Sequence, residues 1–255
     1  MNPRRIWAIA RQDLRILRTD PTPLVILIVM PLLMMPFLKP AFSAALHLEG
    51  KHSASGAEQV VPGMAVTFGF FLVGDVSLNL FREHSWRTWP RLLASPAGTG
   101  EILLGKLLTP LLQALCQFMV LFGLGGLAMG LRVEGSWFAV VAVGIAFGLF
   151  LVSTGLAIAS LCRTVLQANA IVNLGTLVCA GLAGALVPYG LLPNWAQAVA
   201  PVIPSYWAMQ GYERAIFGRG MSVLLPVSVL VGFSIFALGV AAMRFRFDDV
   251  KVGRI

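Results

Sequence analysis

The most constraining feature of the sequence is a series of long tracts that carry almost no charge. Only 12% of the 255 residues are charged and 58% are hydrophobic, whereas a soluble domain carries about 25% charged residues. A tract of about 20 apolar residues is long enough to cross the hydrocarbon core of a bilayer as a helix. Because the backbone in lipid must satisfy its own hydrogen bonds, such tracts are expected to be helical. The sequence therefore predicts an all-α integral membrane protein.

Six tracts fit a membrane crossing within a single transmembrane domain of residues 1–255. The uncharged run of residues 164–212 is about twice as long as one crossing needs. Prolines interrupt its second half, and each one removes an amide donor and breaks a helix. We therefore expect short re-entrant outer helices in residues 188–212 before the last span, and the alternative is a complete seventh crossing. The predicted spans are residues 21–46, 60–81, 107–131, 135–162, 169–187 and 221–243. The residues expected to mark the re-entrant outer segment are Pro193, Trp195, Pro204, Tyr206 and Trp207.

The basic residues predict the orientation. With six spans, fourteen of the 19 lysines and arginines fall on the side that holds both termini, and five fall on the other side. By the positive-inside rule both termini lie in the cytoplasm, and we expect a multi-pass protein of the plasma membrane. The net charge of +8 is explained by this bias and by attraction to anionic lipid headgroups, so it does not indicate a nucleic-acid partner.

Residues 3–19 have the pattern of an interfacial amphipathic helix. No apolar core precedes Asp20 and no small-residue cleavage site follows, so we do not expect the segment to be a signal peptide. Its apolar residues recur at helical spacing, opposite a row of arginines, which predicts a helix on the inner membrane surface. The helix serves either as a positive-inside anchor or as a mechanical element. The apolar face comprises Ile6, Ile9 or Ala10, Leu14 and Leu17, and the basic face comprises Arg4, Arg11, Arg15 and Arg18.

We find no pattern typical of an enzyme or a metal centre. The three cysteines fall within spans, and no Ser-His-Asp, paired-carboxylate or HExxH arrangement is present. His47 and His52 lie near Glu49 and Glu58 in the short outer loop, where a metal site could form, but we expect a solvated loop. The sequence thus predicts a chain that is not an enzyme and holds no metal.

A near-match to a phosphate-binding loop lies before the third span. Gly100, four residues, then Gly105 and Lys106 resemble the pattern GxxxxGK[ST], but position 107 is leucine. A phosphate-binding loop needs a preceding strand, flexible amides and a hydroxyl for magnesium. The residues between the glycines favour a helix instead, which Thr99 would cap. We therefore expect that this chain binds no nucleotide and no cofactor.

Asp75 is the only acidic residue inside a predicted span. With Asn79 and Arg82 it forms one face of the second helix at spacings of i, i+4 and i+7. Ionisable residues within a membrane are candidates for function, so Asp75 and Asn79 are candidates for the lining of a substrate path. The alternative is a structural pair of Asp75 with Arg82 or with a neighbouring helix.

Residues 82–106, which read REHSWRTWPRLLASPAGTGEILLGK, resemble the inner loop of the type-2 permease family of ABC transporters, the membrane subunits of exporters. The stretch LLPNWAQAVAPVIPSYWAMQGYERA also resembles the region before the last span in these proteins. Two positions depart from the family pattern, since Arg87 replaces a usual glycine and Pro90 a usual acid. The matching inner-loop residues are Arg82, Glu83, Thr88, Arg91, Leu92, Leu93, Ser95, Pro96, Leu103, Gly105 and Lys106.

The resemblance implies a transport subunit that works with a separate ATP-hydrolysing subunit. Residues 82–106 would be a cytoplasmic coupling loop, with a short coupling helix near Thr88–Pro96 seated on the ATPase; the alternative is an ordinary basic anchor. ATP and Mg would be held by the partner, and the working unit would contain two ATP-binding subunits and two permease chains, as a homodimer or heterodimer, among membrane lipids. The coupling residues would be Arg82, Glu83, Arg87, Thr88, Trp89, Arg91, Leu92, Leu93, Ser95 and Pro96.

Similar permeases suggest export of a hydrophobic drug or antibiotic-like compound. The alternatives are export of a polysaccharide or lipid-linked glycan, an ion-gradient-driven secondary carrier, and a non-transporting anchor or regulator. Secondary carriers often contain inverted repeats and several intramembrane charges. The sequence has no evident repeat and a single intramembrane acid, which favours the ATP-driven exporter.

Overall fold

The computed structural model of the chain describes residues 3–19, 21–51, 54–85, 98–218 and 223–244, and these residues form helices and connecting turns without a strand. Within these described residues, six helices are long and apolar enough to cross a membrane. The all-helical class and the six spans predicted from the uncharged tracts are therefore confirmed. The helices are α1 (Pro3–Thr19), α2 (Thr22–Leu48), α3 (Ala57–Ser85), α4 (Thr99–Val120), α5 (Gly126–Met129), α6 (Trp137–Leu161), α7 (Val165–Leu182), α8 (Asn194–Val199), α9 (Pro204–Ile216) and α10 (Leu224–Arg244).

The third span is interrupted by a wider helical turn. A π-helical turn, Leu121–Gly125, joins α4 to α5, and the span as a whole runs Leu104–Met129. Single π-helical turns inside α-helices are often found at functional sites. The third span thus has a local irregularity in its last third that the apolar sequence pattern does not reveal.

The centre of the bundle is formed by α3 and α6, whose residues are mostly buried, whereas α2, α7 and α10 turn most of their residues outward. A close approach at Gly155 joins the two central helices, because a Cβ there would lie 2.8 Å from the Cβ of Val76. The hydroxyl of Ser77 donates a hydrogen bond of 2.8 Å to the carbonyl of Gly155. Small residues that let helix backbones approach are a common means of packing in membranes, and here they fix α3 against α6.

The fifth span starts and ends earlier than the expected residues 169–187. α7 begins at Val165 because the hydroxyl of Thr164 accepts a hydrogen bond of 3.2 Å from the amide of Gln167. It ends at Leu182, and Gly184 then adopts a left-handed conformation with φ of +82°. The carbonyl of Gly184 accepts a 2.6 Å hydrogen bond from Gln59 of α3, which fixes this turn on the bundle.

Between α7 and α10 the chain forms short elements. Two 3₁₀ turns (Tyr189–Leu191 and Ala200–Val202) alternate with α8 and α9. Pro193 precedes the first residue of α8, and Pro204 is the first residue of α9, where the fixed φ of proline suits a helix start. The re-entrant placement of these helices at the outer face stays a prediction.

Candidate functional site

The first helix, α1, packs across the start of α4. Ile9 and Ala10 of its apolar face are buried. The contact is close at Gly105, because a Cβ built there would lie 2.8 Å from the Cβ of Ile9 and 3.2 Å from the carbonyl oxygen of Ile6. Glycine at position 105 therefore permits the crossing of α1 over α4.

Polar contacts secure the same crossing. The ammonium of Lys106 lies 2.8 Å and 3.1 Å from the two carboxylate oxygens of Asp13, and both side chains are largely buried. The hydroxyl of Thr109 donates a hydrogen bond of 3.0 Å to the carbonyl of Ala10. Burial raises the pKa of the Asp13 carboxyl above its ordinary value of 3.8, and the ammonium of Lys106 offsets this only in part. Asp13 was not among the predicted site residues, and the sequence signal that could have indicated it is an acidic residue in an otherwise basic amphipathic helix.

The residues of the near-match to a phosphate-binding loop take part in this packing. Residues 99–120 form one continuous helix, α4, with Gly105 under α1 and Lys106 paired with Asp13. Gly98, rather than the expected Thr99, occupies the cap position, because the carboxylate of Glu101 accepts a hydrogen bond of 3.1 Å from the amide of Gly98. This geometry supports the expectation that the chain binds no nucleotide, which stays a prediction.

A cavity of about 80 Å³ lies directly beneath α1, between α3 and α4, and its lining is mainly apolar with several polar and charged groups. Asp75, Asn79 and Arg82, which the sequence places on one face of α3, all line it. Gln113 of α4 donates a hydrogen bond of 3.3 Å from its Nε2 to Asp75 Oδ2. The structure thus brings Asp75 against a neighbouring helix at the wall of a cavity, an arrangement that fits both a path residue and a structural contact. The other lining residues are Asp13, Leu17, Pro23, Val76, Leu80, Lys106, Thr109, Pro110 and Leu156.

The third span also carries a polar stripe that was not predicted from the sequence. Thr109, Gln113 and Gln117 recur at intervals of four residues and are all buried, with exposed fractions of 5%, 5% and 0%. Residues four apart lie on one face of a helix. The spacing of these three polar residues within an otherwise apolar span is the signal that could have identified them.

Most of the predicted coupling residues lie outside the described residues. These are Arg87, Thr88, Trp89, Arg91, Leu92, Leu93, Ser95 and Pro96. Arg82 lines the cavity, and Glu83 follows it in the last turn of α3. The described ends of the loop therefore lie next to the cavity and next to the start of α4, and the coupling role stays a prediction.

At the opposite end of the bundle, an ion cluster joins the first outer loop to α9. Lys51 Nζ lies 2.7 Å from Glu213 and 3.1 Å from Glu49, and 5.3 Å from the centroid of the Phe217 ring. The second oxygen of Glu49 accepts a hydrogen bond of 2.8 Å from the amide of Gly190. Burial works against the charge of Lys51, but the hydrogen bonds and charges of Glu213 and Glu49 raise its pKa above the ordinary 10.5.

Glu49 and Glu58, the two carboxylates near His47 and His52 in the sequence, make contacts with other residues. Glu49 belongs to the ion cluster, and Glu58 is buried and accepts a hydrogen bond of 2.9 Å from the amide of Ser55 at the start of α3. His52 lies outside the described residues. These contacts show that Glu49 and Glu58 hold the outer loop together rather than facing solvent.

The aromatic residues predicted for the outer segment form a partly connected group. The ring of Tyr206 lies 5.1 Å from that of Tyr189 and 5.4 Å from that of Trp207, and the indole of Trp207 donates a hydrogen bond of 2.8 Å to the carbonyl of Pro201. Trp195 is exposed. The segment is thus fixed by its own side chains and by the ion cluster.

Comparison with known proteins identifies the family to which this architecture corresponds. Residues 4–217 match the family model described as ABC-2 type transporter. The chain is 32% identical over 148 residues to the probable multidrug ABC transporter permease YbhR of Escherichia coli (strain K12), over 57% of this chain and 40% of that protein. It is 26% identical over 200 residues to the linearmycin resistance permease protein LnrN of Bacillus subtilis (strain 168), over 77% of this chain and 51% of that protein. The chain spans about half the length of the curated relatives it matches.

Proposed function

The chain belongs to the ABC-2 type transporter family, and we propose that it is the permease subunit of an ATP-driven exporter that is coupled to a separate ATPase subunit. The main observation in support of this proposal is the packing of α1 across the start of α4. Gly105, Lys106 and Thr109 all contact α1 there, and the last two also line the cavity. A displacement of α1 or of the loop that precedes α4 would therefore act on the cavity wall.

The coupling helix is assigned to the inner loop on the basis of its resemblance to the family pattern. Trp89, Leu92 and Leu93 would provide an apolar face, flanked by Arg87 and Arg91, that enters a groove of the ATPase. Contacts of this kind concentrate their energy in a few aromatic and arginine anchors. ATP and Mg would be bound and hydrolysed on the partner, while this chain contributes the path and the mechanical connection.

The complex is proposed to contain two permease chains and two ATP-binding subunits in the plasma membrane, with both permease termini in the cytoplasm. The assignment to the ABC-2 family and the names of the relatives, both called permeases, support an ATP-binding partner. The excess of basic residues on the side of the termini supports the orientation.

A hydrophobic drug or antibiotic-like compound is the proposed substrate. The names of two relatives refer to multidrug transport and to linearmycin resistance. The cavity combines polar groups with apolar side chains such as Val76, Leu80 and Leu156, a mixture that suits an amphipathic molecule. Export of a polysaccharide or lipid-linked glycan is the alternative within the same family.

Copurification with the ATPase tests this proposal. Tagged full-length chain is extracted in detergent, the ATPase that accompanies it is identified, and compounds are tested for stimulation of its ATP hydrolysis. We expect Trp89→Ala combined with Leu92→Ala to release the ATPase or to abolish the stimulation while the chain remains in the membrane. The matched outer double variant, Trp195→Ala with Tyr206→Ala, should keep the ATPase bound. Retention of both properties by the inner double variant would show that the coupling assignment is wrong.

A further inference from the structure

Gln117, in the middle of the third span, is buried without a hydrogen-bond partner. Its side chain is 0% exposed, and neither Nε2 nor Oε1 finds a partner among the residues that the structure describes. A buried carboxamide that makes no hydrogen bond is destabilising, and leucine at the same place would not be. The carboxamide of Gln117 in an apolar span therefore indicates a hydrogen-bond partner that is not part of this chain.

Gln117 is not among the residues that line the cavity, but it lies one helical turn beyond one that does. Gln113, one helical turn earlier on the same face of α4, lines the cavity and contacts Asp75. The rise from Gln113 to Gln117 is about 6 Å along the helix axis. The α4 polar stripe, Thr109, Gln113 and Gln117, thus leads from α1 through the cavity toward the centre of the membrane.

The helix geometry changes directly beyond Gln117. The π-helical turn begins at Leu121, and the ring of Phe122 within it lies 4.8 Å from the ring of Tyr212. The hydroxyl of Tyr212 is also buried without a partner in the described part of the chain, as are those of Thr67 and Thr154. A buried carboxamide without a partner and an irregular helical turn therefore lie within one turn of each other on the third span, and both features are common at functional sites.

The chemistry of this region selects an uncharged ligand group. The charged residues of the cavity are two acids, Asp13 and Asp75, and two bases, Arg82 and Lys106, so their formal charges cancel. Beyond them, Gln117 offers only a carboxamide, which can donate and accept hydrogen bonds but cannot neutralise an ion. A buried ion without a countercharge is far more costly than a buried hydroxyl or carbonyl that is hydrogen-bonded.

We propose that Gln113 and Gln117 form a subsite for an uncharged hydrogen-bonding group, such as a hydroxyl, amide or ester carbonyl, of the exported compound. This inference rests on the proposed export function and specifies its substrate as an apolar compound with uncharged polar groups. The cavity opens along α4 to admit this group, and Gln117 acts as a specificity-determining residue.

Cysteine labelling in inside-out membrane vesicles tests the subsite on the full-length chain. The three native cysteines, Cys116, Cys162 and Cys179, are first replaced by alanine. Gln117→Cys is then treated with 2-hydroxyethyl methanethiosulfonate, an uncharged reagent with a hydroxyl group. The matched control is Leu121→Cys, one turn further along and also 0% exposed. We expect labelling at position 117 to be at least roughly tenfold faster than at position 121, because thiol reactivity depends on access.

A second reagent tests the class of ligand. A trimethylammonium-ethyl methanethiosulfonate cation, with rates normalised to Arg163→Cys in the exposed loop, should label position 117 about tenfold more slowly than the uncharged reagent. An equal rate for the cation would overturn the assignment to uncharged groups. Equally slow labelling at positions 117 and 121 would overturn the subsite. If Gln117→Cys does not insert, Gln113→Cys is used, with the same predicted preference.

The labelling does not require an ATPase, so its outcome is separate from that of the export proposal. Slow labelling at position 117 in a complex that shows ATP-dependent transport would contradict the proposed subsite but not the proposed export function. Fast labelling in a complex that shows no ATP-dependent transport would remove the export proposal instead.

Discussion

The ammonium of Lys106 lies 2.8 Å from the carboxylate of Asp13, which joins the N-terminal helix to the start of the third span. Asp13 and Lys106 are 93 residues apart in the chain. The contact gives a structural reason for the lysine in the near-match to a phosphate-binding loop. The same lysine lines the cavity, so the ion pair links an interfacial helix to the candidate path.

Lys106→Ala should destabilise the fold without changing nucleotide binding. The variant leaves the largely buried carboxylate of Asp13 without the ammonium of Lys106. The loss of a hydrogen bond to a charged group typically costs about 1.5–3 kcal/mol in the free energy of unfolding. Asp13→Asn should cost less, because the amide oxygen of asparagine can still accept a hydrogen bond from Lys106. Thermal unfolding in detergent and ATP affinity of the copurified complex are the measurements.

Lys106→Arg serves as the charge-retaining control for this pair and should lie near wild type in stability. A loss of ATP affinity in Lys106→Ala, with the complex still assembled, would contradict the assignment and indicate a nucleotide site on this chain.

Gly105→Ala should loosen α1 from α4. Its Cβ would lie 2.8 Å from the Cβ of Ile9, which is a branched position close to the backbone and cannot swing away. Overpacking of this kind typically costs about 1–3 kcal/mol. We expect faster amide hydrogen exchange in residues 3–19 and weaker stimulation of the ATPase. Gly123→Ala is the matched control on the same span, since a Cβ there meets nothing within 4 Å; similar exchange in the two variants would refute the close contact.

The outer ion cluster should give the protein an alkaline limit of stability. The pKa of Lys51 is higher in the folded protein than its ordinary 10.5. A group of this kind contributes stability below its unfolded pKa and loses that contribution as pH rises through its folded pKa. As pH rises above 10.5, the unfolding temperature should therefore fall by more in wild type than in Lys51→Met.

Lys51→Arg keeps the positive charge at position 51 but does not lose its proton at alkaline pH. Arginine keeps its proton across this range, so this variant should retain the contact with Glu213 and lose little stability on going to high pH. An identical alkaline decline in wild type and in both variants would show that the cluster does not contribute.

A topology reporter should place the two ends of the bundle on opposite sides of the membrane. A reporter active only in the cytoplasm is expected to work when fused after Ile255 or within residues 84–100, and to be silent near Lys51 or Arg219. The reason is the excess of basic residues on the side of the termini. Activity near Lys51 would overturn the orientation.

The spans were predictable because length and lack of charge alone determine which segments can enter lipid. The face of α3 that carries Asp75, Asn79 and Arg82 was also predictable, since helical spacing fixes which side chains share a face. These three residues line one cavity in the structure. The local sequence pattern therefore predicted the features that depend on one helix alone, which are the position of each span and the residues that share a face.

The partners of those helices were not predictable from local pattern. The apolar face of residues 3–19 indicates burial but does not say against what, and the structure places Ile9 and Ala10 on α4 rather than in lipid alone. The end of α7 at Leu182 depends on a turn fixed by Gln59, far away in sequence. The π-helical turn at Leu121–Gly125 likewise has no signature in an apolar tract.

ATP-dependent uptake into inside-out membrane vesicles tests the central claim most directly. The permease is expressed with its copurifying ATPase, and uptake of a compound that stimulates hydrolysis is followed with ATP, without ATP, and with an imposed ion gradient. We predict uptake that requires ATP, disappears with Trp89→Ala and Leu92→Ala combined, and persists with Trp195→Ala and Tyr206→Ala combined. Uptake driven by the ion gradient without ATP, unchanged in the inner double variant, would contradict the account and identify a secondary carrier.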